Sequence, residues 1–435
     1  RQNFSQVTNP PIDSLREVGV MSLKTRFGNF ANVLDRDARQ PDVMVLDSPV
    51  VTNGEWDALL RYFGEAAQVI DCTFPAGSGP DGLKEAIARI RAEAERAVRS
   101  GKSQLFLTDE NISKDRVALP MILAAAGVHT SLVRKGLRTF ASINVRSAEC
   151  MDTHYFAVLI GVGSTTVNAW LAQEAIADRH RRGLFGSLSY EECVARFRKA
   201  VNDGLLKIMA KMGIAVISSY RGGYNFEAVG LSRALVAEFF PGMPTKISGM
   251  GLTSIYRNVM EKHEKAFNDD VVTLPVGGLY RYRAGGELHA YQGQLIHLLQ
   301  TAVATDSYQT YLQFSRGVRD LPPVSLRDLL EFNWARDPLP IEEVESITEI
   351  RKRFITPGMS LGALSPEAHE TLTIAMNRIG AKSVSGEGGE LPGRDVTEMN
   401  GRQRHSPPGE RTWGGLGMSV ELGGGSIRPI LAAAA

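Results

Sequence analysis

Between residues 42 and 218, short β-branched runs alternate with longer segments of helical period, and this alternation leaves few architectures open. Residues 43–46 read as one strand and 68–72 (QVIDC) as another, each closed by a turn signal. In the following LKEAIARIRAEAERAVRS, Leu83, Ile87, Ile90, Ala94 and Ala97 recur at three- and four-residue steps, one apolar stripe on a charged helix that Gly101 stops. SQLFLTD (103–109) predicts a strand, 117–126 a second apolar helix and TFASINV (139–145) a further strand. Farther on, DGLLKIMAKMG (203–213) predicts a helix and IAVIS (214–218) a strand. Strands that are apolar on both faces and joined through helices belong in a parallel sheet. The expectation is an α/β fold, and periodicity leaves a doubly wound sheet and a barrel equally open.

The chain has 435 residues, 43% hydrophobic and 22% charged, enough to bury a large core. Its formal net charge of +1 gives no overall field toward nucleic acid or an anionic membrane, so neither is expected as a partner. The apolar runs FAVLIGVG (156–163) and MILAAAG (121–127) fall short of the roughly 20 residues a membrane span needs. Cys72, Cys150 and Cys193 stand too far apart for a C-x-x-C ligand pair. They read as buried, inert thiols of a cytoplasmic protein, with no metal site among them. The opening RQNFSQVTNPP carries neither an initiator Met nor an apolar stretch after a basic start, so no secretory signal is expected and the chain reads as a fragment. A Gly-, Arg- and Pro-rich stretch over 277–340 suggests a domain boundary near its start.

GVGSTT (161–166) follows an apolar, strand-like run, but Thr166 stands where a dinucleotide fingerprint needs its third glycine, and a tight turn is the stronger reading. The histidines are scattered without an H-E-x-x-H pattern, and His154 reads as a satisfied packing residue. The richest region is GMSLGALS (358–365) followed by AMNRIGAKSVSGEGGE (375–390), a predicted strand, a helix capped by Ser365 and a glycine-dense loop. Gly362, Gly386, Gly388 and Gly389 would let backbone N–H groups approach a planar or phosphorylated ligand; a solvated turn is the equal alternative.

Three segments carry a resemblance. FSQVTNPPIDSLRE (4–17), SYRGGYNFEAVGLS (219–232) and PGMSLGALSPEAHETLTIAMNRIGAKSVSGEGGE (357–390) are similar to the large subunit of the glutamate synthase family. The resemblance implies an enzyme in which an amidotransferase domain hydrolyses glutamine and ammonia passes through the interior. It then condenses with 2-oxoglutarate, and FMN reduces the imine to glutamate with electrons delivered through an iron–sulfur cluster. It implies, as partners, the amidotransferase and FMN domains of the same chain and an electron-donating small subunit or ferredoxin.

By the same resemblance, residues 1–275 are the central domain, a rudimentary (β/α) barrel with a structural, tunnel-forming role. Residues 276–390 are a linker and the incomplete start of the FMN-binding TIM barrel, and 391–435 a divergent tail expected to be poorly ordered. Met359, Ser360, Gly362 and Ala363 would lie against the flavin at the first strand end, and Ser385, Gly386 and Glu387 at the next. No catalytic acid, base, nucleophile or metal ligand is expected in this chain, and the family's cluster cysteines are absent. Past Glu390 the sequence departs from the family: GEGGELPGRDVTEMNGRQRHSPPG (386–409) joins a first GEGG segment to the sequel of a second, and the strands between them are missing. A flavin normally needs about 70% or more of its surface enclosed, so FMN belongs to the intact family enzyme and the chain alone is expected to be inactive. Two rivals stay open, a compact FMN-dependent oxidoreductase built on 357–390 and a noncatalytic subunit-assembly module.

Overall fold

The computed structural model describes residues 11–13, 15–32, 34, 43–270, 273, 276–279, 281–333, 337–359 and 362–384, and four short strands between 396 and 421. Two compact units divide the chain, Arg1–Val276 and Gly277–Ala435.

The first unit opens with helix α1 (Glu17–Val20) and an antiparallel pair, β1 (Thr25–Phe27) and β2 (Met44–Leu46). Then follow α2 (Asn53–Phe63), β3 (Ala67–Asp71), β4 (Thr73–Pro75), α3 (Gly79–Arg99), β5 (Gln104–Thr108), β6 (Arg116–Ala118) and α4 (Met121–Arg134). Next come β7 (Ser142–Arg146), α5 (Thr153–Gly161), β8 (Thr166–Asn168), α6 (Trp170–Arg181) and α7 (Tyr190–Lys211). The unit ends with α8 (Ile217–Tyr220), β9 (Val229–Leu231), α9 (Arg233–Phe239), β10 (Ile247–Met250) and α10 (Leu252–Ala266). Strands β3, β5, β7 and β8 form one parallel sheet in that order, and a single parallel bridge sets Val50 beside Val167. The unit is therefore α/β with a parallel sheet, and the pairings among the described residues leave that sheet open.

Every residue of β5, β7 and β8 is buried, because the two faces of the sheet are covered differently. Alternation sends Leu105, Leu107, Ile143, Val145 and Val167 into a large core with the stripe of α3 and the apolar faces of α4, α5 and α7. Phe106 points the other way, into a small cluster with Phe27, Val51, Trp56 and Leu59, where its ring meets Trp56 edge-on at 4.9 Å. Capping boxes begin two of the covering helices: Thr52 with Glu55 at α2, and Ser189 with Glu192 at α7.

Two local expectations fail here. FAVLIGVG is strand-like by composition, yet residues through Gly161 form α5, started where the Asp152 carboxylate accepts from the Tyr155 N–H at 2.9 Å. In 214–218 only Val216 pairs, through one bridge to Ser22, before the chain turns into α8. Among the described helices none is long and apolar enough to cross a membrane.

The second unit contains α11 (Gly293–Ala304), α12 (Tyr308–Arg319), α13 (Ile347–Arg351) and α14 (Pro366–Ile379). α11 and α12 form a helical hairpin, close enough that a Cβ on Gly317 would fall 2.5 Å from Leu295. Ser365 caps α14 by accepting from the Ala368 N–H at 3.3 Å, and Gly380 ends it in the left-handed conformation. Before α14, the described residues of 358–365 form a turn rather than a strand, and Ile355 makes a parallel bridge to Lys382. Farther along, β11 (Val396–Met399) pairs antiparallel with β12 (Arg402–His405), and β13 (Glu410–Thr412) with β14 (Ser419–Glu421).

Candidate functional site

In open α/β sheets, ligands and reacting groups gather at the carboxyl ends of the strands. Here the face that holds Phe106 also carries a buried polar row. Asn144 Nδ2 donates to Gln104 Oε1 at 3.0 Å, and Thr166 Oγ1 donates to Asn144 Oδ1 at 2.7 Å. At the carboxyl end the row becomes charged. Arg146 reaches Glu110 at 3.0 Å and Asp57 at 3.3 Å, with its guanidinium 5.8 Å from the Trp56 ring centre. Asn168 Nδ2 donates to Val51 O and Asn53 Oδ1, each at 3.0 Å, which ties β8 to the start of α2.

Asp109 follows β5 and is fully buried. Its two oxygens accept from the Ala148 N–H at 3.1 and 2.8 Å, and Trp170 Nε1 donates to Oδ1 at 2.7 Å. Burial outweighs these donors and lifts its pKa to about 6, with the Glu149 charge adding to the rise. Glu149 in turn accepts from the Met121 N–H at 3.1 Å and from the Tyr155 hydroxyl at 2.5 Å. Burial, then the Glu149 charge, drives the Tyr155 hydroxyl well above its ordinary value. Asp109 and Glu149 thus hold the fold through these bonds, and Asp109, although its pKa lies near neutrality, is closed off from solvent and from any substrate.

The three cysteines are buried, and burial raises the Cys72 and Cys150 thiols far from the thiolate range. Among the described residues no group of His, Cys, Asp and Glu could hold a metal ion. A cavity of about 520 Å³ opens beside the first turn of α2, against Thr52, Asn53, Gln173, Tyr190, Arg198 and Asn202. Gln173 Oε1 accepts from the Asn53 N–H at 2.9 Å, and Arg198 pairs with Glu55 at 2.7 Å. These groups already satisfy one another and tie α2 to α6 and α7.

At the amino ends of β7 and β8 lies a second cluster that sequence motifs do not mark. Arg138 donates from Nε to His129 Nδ1 at 2.9 Å, from Nη2 to Gly163 O at 2.8 Å and from Nη1 to Ala141 O at 2.5 Å. Accepting at Nδ1 fixes the His129 tautomer, and burial together with the Arg138 charge lowers its pKa to about 3, so the ring stays neutral. Burial, and then the neighbouring Arg221, lower the Arg138 pKa to about 9. This cluster explains the glycines of GVGSTT. At Gly163, with φ +119°, a Cβ would stand 2.2 Å from His129 Nδ1, and at Gly161 one would stand 2.3 Å from the Phe226 ring. The loop follows a helix and precedes a strand, the reverse of a dinucleotide-binding turn. A charged side chain in the short GLRTF link between an apolar helix and a buried strand is the one sequence signal of this cluster.

Of the residues expected at a flavin, Met359 is half-buried, and Gly362 and Ala363 are exposed in the turn before α14. Ser360, Ser385, Gly386 and Glu387 lie outside the described residues. Around them, the Thr356 N–H donates to Lys382 O at 3.1 Å and the Val384 N–H to Thr356 Oγ1 at 2.9 Å. Among the described residues, Met359, Gly362 and Ala363 form no enclosed surface for a flavin, the other four expected residues lie outside them, and no chemical step is derived through FMN.

Comparison with known proteins adds the family. A model described as the glutamate synthase central domain matches residues 1–232, and one described as a conserved region in glutamate synthase matches 289–406. The large chain of NADPH glutamate synthase from Azospirillum brasilense is 60% identical over 421 residues, 97% of this chain and 28% of that protein. The corresponding large chain of Bacillus subtilis is 39% identical, covering 93% of this chain and 26% of that protein. The ferredoxin-dependent glutamate synthase of Spinacia oleracea chloroplasts is 40% identical over 90% of this chain and 25% of that protein. The chain thus spans about a quarter of the length of these curated relatives. Among solved structures, a mutant flavocytochrome b2 with pyruvate bound aligns at 12% identity and a TM-score of 0.26, over 39% of this chain and 37% of that one, too slight a likeness to inform the fold. With the central-domain model matching more than half of its residues, the chain belongs to the glutamate synthase family.

Proposed function

We propose that this chain supplies the central, connecting part of a glutamate synthase large subunit and that alone it neither makes glutamate nor hydrolyses glutamine. The observation that carries this reading is the match itself: 60% identity runs along 97% of the chain yet accounts for only 28% of the relative. The interior chemistry supports it. Asp109 and Glu149 spend their oxygens on N–H and hydroxyl donors of the fold, and the buried thiols are poor nucleophiles.

In this reading the parallel sheet, rudimentary barrel or not, is a rigid body that sets the spacing of neighbouring catalytic domains and lines the path of ammonia between them. Glutamine hydrolysis, the FMN-dependent reduction of the imine formed from 2-oxoglutarate and the entry of electrons from a small subunit or ferredoxin belong to the remainder of such an enzyme. The residues of this chain bind, space and exclude water; they move no proton in the reaction.

Two measurements test the proposal. The purified chain, given glutamine, 2-oxoglutarate and a reductant, is expected to release no glutamate, and glutamate above background would overturn the reading. Exchanged for the matching segment of the Azospirillum brasilense large chain, this chain is expected to leave coupled glutamate synthesis intact. A chimera that folds and hydrolyses glutamine but loses ammonia into solvent would show that the segment does not perform the connecting role assigned to it.

A further inference from the structure

At the amino edge of the sheet Arg221 lies close enough to Arg138 for its charge to lower the Arg138 pKa. Arg138 places all three of its nitrogens on acceptors: His129 Nδ1, Ala141 O and Gly163 O. Arg221 does not. Its Nε and Nη2 atoms are buried and, among the described residues, have no hydrogen-bond partner. Nor does a carboxylate among the described residues form an ion pair with either arginine. Buried guanidinium groups are ordinarily paired, because their charge is costly to remove from water without an answering anion.

The open atoms specify the anion. Nε–H and one Nη–H of a guanidinium lie parallel along one edge and accept a planar two-oxygen group as a fork on a fork. A tetrahedral oxyanion would leave oxygens beyond the reach of that single edge. We propose that Arg221 is a receptor for the carboxylate of a small organic acid, held bidentate on its Nε/Nη2 edge, with the Arg138 charge behind it. The edge is enclosed in the arrangement described, while Arg221 as a residue is partly exposed and Gly223, two positions on, is exposed. Uptake therefore goes with a turn of the Arg221 side chain toward the solvent that its partly exposed surface already meets. This assignment does not depend on the chain's part in glutamate synthesis.

Acetate is the probe. In the full chain labelled with ¹⁵N-arginine, sodium acetate replaces sodium chloride at constant pH and ionic strength while the side-chain Nε–H signals are followed. One signal is expected to move and saturate, with half-saturation on the order of 10 mM, the range of charge-assisted hydrogen bonding to one guanidinium edge. In Arg221→Lys, which keeps the charge and loses the planar fork, the saturable response is expected to disappear; Arg221→Gln serves if the lysine variant does not fold. The proposal is overturned if no signal saturates, if chloride gives the same titration, or if a saturating signal survives in the Arg221 variants.

Discussion

The two edges of the parallel sheet answer charge in opposite ways. At the carboxyl edge, Arg146 sits between Glu110 and Asp57, and the buried Asp109 takes donors on both oxygens. At the amino edge, Arg138 is answered by a neutral imidazole and two carbonyls, and Arg221 has two buried N–H positions unanswered among the described residues. The first edge lies where α/β folds ordinarily place chemistry, and there the charge of Arg146 is answered by two carboxylates, although Arg146 Nε, Ser147 Oγ and Asn168 Oδ1 are also buried without a partner among the described residues. The second is not a usual site, yet it keeps unspent binding capacity. Position in a fold gives a place to look; the donor and acceptor inventory of each group decides what can happen there.

The largest expected break in this contrast is Gly163→Ala at the amino edge. The new Cβ would stand 2.2 Å from His129 Nδ1 on a backbone at φ +119°. Overpacking and backbone strain together should cost about 4 kcal/mol, read as a lower urea midpoint at unchanged slope. Gly230→Ala is the control: its φ is +76° but no heavy atom lies within 4 Å, so strain alone should cost about 1 kcal/mol. Equal losses in the two variants would remove the His129 contact from the account.

A pH experiment separates the edges further. Asp109 has its folded pKa raised to about 6, above an unfolded value near 3.9. Between those values the native state holds the proton that the unfolded chain has released, so this group makes stability fall as pH rises from about 4 to about 6. That displacement corresponds to on the order of 3 kcal/mol. His129 acts in the opposite sense. Its folded pKa is depressed to about 3, so it makes stability fall as pH drops from about 6.5 toward 3. In Asp109→Asn the first slope should vanish, leaving the rise with pH from His129 steeper in denaturant titrations at pH 4, 5, 6 and 7. An unchanged pH profile in that variant would show that Asp109 is not the source.

What was legible in the sequence follows from how local each signal is. The α3 stripe from Leu83 to Ala97 and the strands β3, β5 and β7 rest on periodicity within a few turns, and they form as expected. The run at 156–163 reads as a strand because apolar composition alone does not distinguish a buried helix, and the Asp152 cap that decides it is a single residue. Helices α11 and α12 are hidden in the Gly-, Arg- and Pro-rich stretch, whose flanks speak for loop while residues 293–304 and 308–319 carry the helices. The functional expectation fell on glycine-rich segments around Met359 and Glu387, recognisable as strings. The Arg138, His129 and Arg221 cluster comes from three separate segments joined only by the packing of α4, the link before β7 and the turn after α8. No spacing rule brings such residues together.

The smallest expected effect sharpens the contrast most. Arg146 is almost wholly buried, but its partners Glu110 and Asp57 have side chains 40% and 54% exposed, so each pair is screened by solvent. Glu110→Gln alone should cost about 0.5 kcal/mol, because Asp57 remains to answer the charge. The same holds for Asp57→Asn. Together, the two substitutions leave Arg146 without a carboxylate and turn the carboxyl edge into a likeness of the amino edge. The double variant should therefore lose more than the two single losses added, a coupling of about 1 kcal/mol in the double-mutant cycle. The underlying reason is that a buried guanidinium tolerates the loss of one anion while a second remains, and loses a compensated state only when both are gone. Strict additivity would mean that Arg146 rests on the Trp56 ring and its own packing instead. A cation without a carboxylate would then be ordinary in this fold, and the open edge of Arg221 would lose its force as a sign of a missing ligand.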